Sequence, residues 1–244
     1  QKAIEIGSQQ RNPVHDYHSV GKLLSQGGRY ELAKEYLERI DSTNQHYLYR
    51  PGTYWHTVWL IEFANLYVAW QQPEQALFYS HLARGHAQKH GWAIVLGRVL
   101  KAEGSAQMQL AQWQEARKNL TQAYALFLQE SALDYQCATL TKLIQLHLAL
   151  EDRPEIAVYS ESIWALLHSD KLDNTNSEPI KAWWACYLGF RALGESRAQG
   201  TLQRAINLLQ TQRAYIYDET WKEQFSTQIP EHRDLFRAAK ELLP

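Results

Sequence analysis

The chain has 244 residues, 45% of them hydrophobic, so it is long enough for one large domain or two small ones with a substantial core. Its 25 Lys and Arg residues are balanced by 26 Asp and Glu residues, and no run of five or more basic residues occurs. Because nucleic-acid binding depends on clustered cations that neutralise phosphates, this balance argues against nucleic acid as a partner.

Neither a membrane span nor an oxidising compartment is indicated. No stretch of about 18 apolar residues occurs, and the start carries no signal peptide. Cys137 and Cys186 stand in apolar helical stretches, where we expect small buried side chains rather than a disulfide or zinc ligands. We therefore expect a cytoplasmic protein.

Helix is predicted over nearly the whole chain, because long amphipathic stretches separate few Pro and Gly residues and strand-like alternation is absent. Short turns at residues 27–28, 71–72 and 111–112 predict antiparallel pairs of helices. The first helices of five such pairs are predicted at residues 14–26, 53–70, 92–110, 133–150 and 179–193.

The second helix of each pair repeats one pattern, in which an alanine near its start is followed by buried-type positions four and seven residues later. A small residue there lets the second helix approach the first closely, and Gly21, Ala64 and Gly104 stand twelve positions before the first three alanines. The alanines recur at nearly equal intervals, at Ala33, Ala76, Ala116, Ala157 and Ala198.

This pattern resembles the tetratricopeptide repeat (TPR). The matching residues are Gly21, Tyr30 and Ala33 in the first repeat, Ala64, Tyr67, Ala76 and Ala83 in the second, and Gly104, Trp113, Ala116 and Ala123 in the third. The resemblance covers residues 14–210, and the last two repeats are degenerate. It implies an all-α, right-handed α-solenoid of about five TPR-like helix pairs, each pair burying its apolar face by stacking on its neighbours.

The period of about 41 residues exceeds the usual 34 and resembles the long repeats at the C-terminal end of bacterial STAND-like signalling ATPases and transcription regulators. The closing segments at 213–218 and 229–235 are similar to the end of many such arrays. The first residues look like the end of a helix already under way. We therefore expect a fragment of a longer protein, in which residues 1–13 are the tail of a preceding helix or repeat.

The repeat array is expected over residues 14–216 and C-terminal capping helices over residues 217–244. Asp218 can cap a short helix that carries Trp221 and Phe225, and Pro230 suits the first turn of the last helix. That helix places Leu235, Phe236, Ala239, Leu242 and Leu243 on one face, as a cover for the exposed end of a solenoid.

Sequence signatures of catalysis are missing, including phosphate-binding glycine loops, zinc-protease motifs and nucleophile elbows. The ten histidines lack metal-ligand spacing, although His15 and His18 could share a helix face. We expect no enzymatic activity from this chain, no cofactor and no metal.

The resemblance places the binding surface on the concave face, which the first helices line. A cationic strip with one amide is expected there, formed by Lys22, Asn65, Arg98, Lys101 and Lys142. Lys and Arg donors suit carboxylates or phosphates, and family members that hold a peptide's C-terminal carboxylate use Lys and Asn at similar positions. The alternative is that these charges are merely solvated.

A second candidate surface lies in the fifth repeat, at Trp183, Tyr187 and Arg191. Adjacent tryptophans cannot face the same side of a helix, so one of Trp183 and Trp184 is expected in the core and the other in the groove or an interface. Aromatic residues at this spacing are also typical of ordinary core packing.

The sequence thus favours a non-catalytic interaction or sensor module, the C-terminal part of a larger bacterial signalling or regulatory protein. The expected partner is a protein or peptide, and an acidic one if the cationic strip is the site. Two alternatives stay open. One is a receptor that holds a small-molecule or peptide effector in the groove, and the other is a structural oligomerisation arm.

Overall fold

The computed structural model describes residues 13–42, 50–169 and 178–242, and all regular secondary structure in these ranges is helical. None of these helices is both long and apolar enough to cross a membrane. The twelve helices are α1 (Pro13–Gln26), α2 (Tyr30–Ser42), α3 (Tyr54–Ala69), α4 (Pro73–His90), α5 (Ala93–Gln109), α6 (Trp113–Gln129), α7 (Leu133–Ala149), α8 (Arg153–Leu167), α9 (Pro179–Leu193), α10 (Ala198–Ala214), α11 (Glu219–Thr227) and α12 (Pro230–Leu242).

The first ten helices form five antiparallel pairs that stack in chain order, each second helix packing on the first helix of the next pair. First helices of neighbouring pairs also touch each other, as α3 touches α5 and α7 touches α9. The predicted solenoid of five helix pairs is therefore confirmed, and its first helices start and end within one residue of their predicted bounds.

The turns between the helices share one backbone geometry. Gln71, Ala111, Ser131 and Glu151 have φ angles of 59°, 55°, 52° and 55°, and Gly91 has a φ of 66°. In each turn the next residue donates its amide to a carbonyl five positions earlier, as the amide of Gln112 does to the Gln107 oxygen at 2.9 Å. These bonds define a Schellman turn, which ends every helix from α3 to α7 at equal spacing along the chain.

The predicted close approach of paired helices is present. Ala33, Ala76 and Ala116 are fully buried. A Cβ atom on Gly104 would lie 2.7 Å from Leu120 and 3.2 Å from the Ala116 carbonyl oxygen. Because Gly104 and Ala116 are small, the backbones of α5 and α6 come into close contact at this point.

The predicted fourth anchor, Ala157, is wrong by one position. Ala157 is half-buried, whereas Ile156, Ser160 and Ile163 face the core. Ile156 follows Ala116 at the same interval at which Ala116 follows Ala76, so the anchor lies one position earlier than predicted. The evenly spaced turns set this register, since each helix begins at a fixed distance from the turn before it.

The fifth pair keeps the pattern less strictly. Ala198, its predicted anchor, is half-buried, and the buried stripe continues through Leu202, Ala205 and Leu209. Cys137 and Cys186 are both buried and unbridged, and burial raises the pKa of each thiol to about 12. Both cysteines therefore serve as small core residues, as predicted.

Helices α11 and α12 close the C-terminal end. Asp218 accepts a hydrogen bond from the backbone amide of Trp221 at 2.7 Å, and Pro230 begins α12, as predicted. Leu235 is fully buried in a core that includes Trp184 and Phe225. The predicted tail at residues 1–13 falls almost wholly outside the described residues, and so do the side chains of Leu242 and Leu243.

We expect Ala116→Leu to lower the free energy of unfolding by about 1–3 kcal/mol, because the added atoms would overpack a fully buried contact between backbones. Ala125→Leu, at an exposed position of the same helix, is the matched control and should change it little. Urea denaturation compares the two. An equal midpoint for both variants would remove Ala116 from the close helix contact.

We expect Ala111→Gly to raise the free energy of unfolding by about 0.5–1 kcal/mol, because glycine adopts a positive φ without the strain of a side chain. Ala125→Gly makes the same change inside a helix, where glycine should lower stability by a similar amount. Both positions are exposed, so packing contributes little. Shifts of the same sign in thermal denaturation would contradict the turn geometry.

Candidate functional site

The concave side of the solenoid holds a cavity of about 380 Å³. Each of the five first helices contributes to its wall, through Lys22 of α1, Asn65 of α3, Lys101 of α5, Lys142 of α7 and Lys181 of α9. The volume falls within the range of about 300–1,000 Å³ that is usual for small-molecule sites. The cavity is therefore the first place to look for a binding function.

The constant repeat length builds this wall. Asn65, Ser105 and Gln145 are equally spaced along the chain, one in each of three successive pairs, and all line the cavity. The residues one helical turn further on, Ala69, Gln109 and Ala149, do so as well. Equivalent positions of successive pairs thus face one space, so that side chains far apart in sequence come together.

All five residues of the predicted cationic strip line this cavity, namely Lys22, Asn65, Arg98, Lys101 and Lys142. Two of them are held by carboxylates. Arg98 donates to Glu62 at 2.6 Å, and Lys142 lies 3.5 Å from Glu231. The guanidinium of Arg98 also lies 5.5 Å from the ring centre of Tyr135. These two cations form part of a fixed wall.

The other cations of the strip behave differently. Lys22 and Lys101 are half-buried, and neither ammonium forms an ion pair or a hydrogen bond with a described residue. Burial lowers the pKa of Lys101; the charge of Glu178 opposes this shift, and the neighbouring cations Lys142 and Lys181 add to it. An anion that entered the cavity would offset the cost of burying the Lys101 charge and would reduce the repulsion between the neighbouring cations.

Acidic residues and one more lysine in the cavity were not predicted. Glu178 and Lys181 form an ion pair at the start of α9. Burial opposes ionisation of Glu178, but the charges of Lys181 and Lys101 outweigh it and lower the pKa to about 2. Burial likewise opposes ionisation of Glu231 on α12, but Lys142 and Lys181 lower its pKa to about 2. Both carboxylates are therefore charged at neutral pH.

The second candidate surface does not reach the cavity. Trp183 packs beside Trp164, with ring centres 6.0 Å apart, and Tyr187 is buried beneath the C-terminal helices. Arg191 is exposed and donates to the Tyr187 hydroxyl at 3.3 Å. Of the adjacent tryptophans, Trp184 is the one in the core, as expected for one member of the pair.

A two-residue error in register explains this placement. The predicted groove position Trp183 lies two residues after Lys181, and two residues turn a helix by about 200°, to its opposite side. Lys181 follows Lys101 at twice the interval that separates Asn65 from Ser105, so a strictly constant repeat length would have selected it. Glu231 carried no such signal, because it belongs to the capping helix rather than to a repeat.

The described residues contain no group of three or more His, Cys, Asp or Glu side chains placed to hold a metal ion. The side chain of His15 lies outside the described residues, and His18 lies 3.9 Å from Glu62. What the cavity can offer is charge and hydrogen bonding to a ligand.

No protein-family model matches the chain, and no curated protein matches its sequence. Similar solved structures include a Podosopora anserina putative kinesin light chain with nearly identical TPR-like repeats and a single-residue variant of that protein. Each is 18% identical with a TM-score of 0.53, and the matches cover 82% of this chain and 96% or 97% of theirs. At this identity the likeness establishes the fold alone, which is a TPR-like helical solenoid.

Proposed function

We propose that this chain is a non-catalytic protein-interaction module that holds an acidic group of its partner in the central cavity. The observation that carries the proposal is the state of Lys22 and Lys101, two half-buried cations whose ammonium groups form no contact ion pair or hydrogen bond with a described residue, although the charge of Glu178 acts on Lys101. A buried charge without a partner is unfavourable, so an anionic ligand would supply the missing interaction.

The paired charges around these lysines support the same proposal. Glu62 holds Arg98, and Glu231 holds Lys142, so these carboxylates already have cationic partners. Asn65 adds an amide to the same wall. Two ammonium groups and an amide can donate several hydrogen bonds to one carboxylate, in a space where neighbouring side chains are already fixed.

The cavity volume limits what can enter. About 380 Å³ accommodates a chain terminus or a few side chains, but not a folded domain. A protein partner would therefore insert a terminus or an acidic loop. The same volume favours one second candidate, a receptor whose ligand is a small acidic effector.

We further propose that the chain is the C-terminal region of a larger bacterial signalling or regulatory protein that works in the cytoplasm. The support is the resemblance of its long repeats and its closing segments at 213–218 and 229–235 to such arrays. The sequence of the full-length gene product tests this proposal. A nucleotide-binding loop or a DNA-binding domain before the repeats would support it, whereas an unrelated domain would argue against it.

Binding can be tested with a degenerate pool of eight-residue peptides that carry free C-terminal carboxylates, and with the same pool amidated as control. We expect Lys101→Met to weaken binding of the enriched peptides at least tenfold, because loss of a hydrogen bond to a charged group costs about 1.5–3 kcal/mol. The melting temperature should not fall, since methionine fills similar space without a buried charge. Lys118→Met, at an exposed position on the second helix α6, is the matched control.

Isothermal titration calorimetry of the enriched peptides gives the affinities. Equal affinity for Lys101→Met and Lys118→Met would exclude Lys101 from the site. Enrichment from the amidated pool to the same extent would show that the terminal carboxylate is not the group recognised. A small-molecule effector is tested separately, by a shift of the melting temperature with small carboxylates such as citrate (three carboxylates) or glutarate (two carboxylates).

Binding should also weaken as the pH rises through the lowered pKa of Lys101, because only the protonated amine attracts an anion. The fall should begin below the usual lysine pKa of about 10.4. Lys101→Arg should abolish this dependence, since a guanidinium stays charged throughout the range. The dissociation constant measured between pH 7 and pH 10 provides the test, and an unchanged profile in Lys101→Arg would contradict the assignment.

A further inference from the structure

The two ends of the solenoid touch each other. The indole nitrogen of Trp221, next to the start of α11, donates to the backbone oxygen of Gly27 at 3.1 Å. The hydroxyl of Tyr30 donates to the backbone oxygen of Gln228 at 3.4 Å. These contacts join residues 194 and 198 positions apart, so they close the array of helix pairs into a ring.

The turn between α1 and α2 fits closely against the C-terminal helices. A Cβ atom on Gly27 would lie 2.8 Å from the indole nitrogen of Trp221. Gly28 has a φ of +79°, and a Cβ atom there would lie 3.3 Å from the Cβ of Gln228. The guanidinium of Arg29 lies 5.9 Å from the ring centre of Trp221. We call this contact, between residues 27–30 and residues 221–229, the clasp.

The clasp adjoins the proposed binding cavity. Tyr30 and Ile229, one from each side of the clasp, line the cavity, and so do Pro230 and Glu231 at the start of α12. Glu231 reaches Lys142 of the fourth pair. The cavity wall therefore includes the C-terminal helices as well as the repeats, and the wall is complete only while the first pair and the C-terminal helices meet.

Each side of the clasp is anchored to the solenoid by its own contacts. Helix α12 packs on α9 and α10 and shares a core with Trp184 and Tyr187. On the other side, α2 packs on α3 less extensively than α4 packs on α5. The first pair is therefore held to its neighbour less extensively than the second pair is held to the third, and small rotations between repeats set the curvature of a solenoid.

We propose that the clasp completes the binding cavity, so that closure of the ring and occupancy by a ligand stabilise each other. This inference rests on the proposed function. A ligand that contacts Lys22 of the first pair and Lys101 of the third pair bridges the first pair to the rest of the array. It therefore binds the closed ring more tightly than the open one, and it shifts the equilibrium towards closure.

The clasp can be tested first without a ligand. Gly27→Ala places a methyl group against Trp221, whereas Gly200→Ala is a matched control because a Cβ there has no neighbour within 4 Å. We expect faster hydrogen exchange in α1, α2 and α11 for Gly27→Ala only, with unchanged helix content. Trp221→Phe, which removes the indole donor, should act in the same direction. If both variants exchanged hydrogen at the wild-type rate, the clasp would not hold the two ends of the solenoid together.

A disulfide supplies the opposite perturbation. Gly28→Cys together with Gln228→Cys would place two Cβ atoms 3.3 Å apart, near the usual separation in disulfides of about 3.5–4.5 Å. The positive φ of Gly28 strains the new cysteine in the oxidised and in the reduced protein alike, so the two forms of this variant are compared with each other. Cys137 and Cys186 should not interfere, because burial raises the pKa of each thiol to about 12 and keeps it unreactive. The oxidised protein holds the ring closed, and the reduced protein allows it to open.

Coupling is then measured with the peptides enriched from the free-carboxylate pool. If Gly27→Ala reduces the closed fraction to roughly a tenth, affinity should fall about tenfold, although Gly27 does not line the central cavity. The oxidised disulfide variant should bind at least as tightly as the wild type, with slower association and dissociation. Wild-type affinity for Gly27→Ala, despite its faster exchange, would overturn the coupling and leave the proposed function standing. A wild-type protein that binds no peptide would overturn both.

Discussion

The left-handed turn that ends every helix from α3 to α7 sets the geometry on which the rest of this structure depends. Since each of these helices ends in the same Schellman motif, each has nearly the same length and starts in the same orientation. Equivalent positions then fall one repeat length apart, which brings Asn65, Ser105 and Gln145 onto one wall. Four of these turns accept the strain of a non-glycine residue at positive φ, so the tertiary packing of the pairs must outweigh it.

Some charged groups in the cavity pair with one another and stabilise the fold, whereas others are proposed to bind a ligand. Arg98 and Lys142 have carboxylate partners, and the charges of Lys181 and Lys101 outweigh the burial of Glu178 and lower its pKa to about 2. These pairs keep polar groups satisfied in a confined space, where an isolated charge is costly. Lys22 and Lys101 lie among them without such partners in the described residues, which makes the interior attractive to an anion.

Ring closure changes how a solenoid of this kind can work. An open array presents its concave face as a long groove, and each pair touches only its neighbours. Here the C-terminal helices contact the first turn of the array through Trp221 and Tyr30, so the first and last elements are linked directly. A ligand in the cavity therefore meets surfaces that are distant in sequence, and its binding depends on how those surfaces are held together.

The sequence by itself determined the helical fold, the five pairs, the N-cap at Asp218, the helix start at Pro230 and the placement of the strip from Lys22 to Lys142 on the first helices. These features depend on local periodicity and on contacts within one pair, which a repeating pattern exposes. A strictly constant repeat length would have pointed to Ile156 as an anchor and to Lys181 rather than Trp183 as the inward residue, and the structure shows both. Tertiary structure alone decided that Glu231 completes the wall. A register error of one or two positions is hardly visible in a degenerate repeat but turns a side chain by about 100° or more. The contacts between the first pair and the C-terminal helices have no periodic signal in the sequence, because they depend on the curvature accumulated over all five pairs.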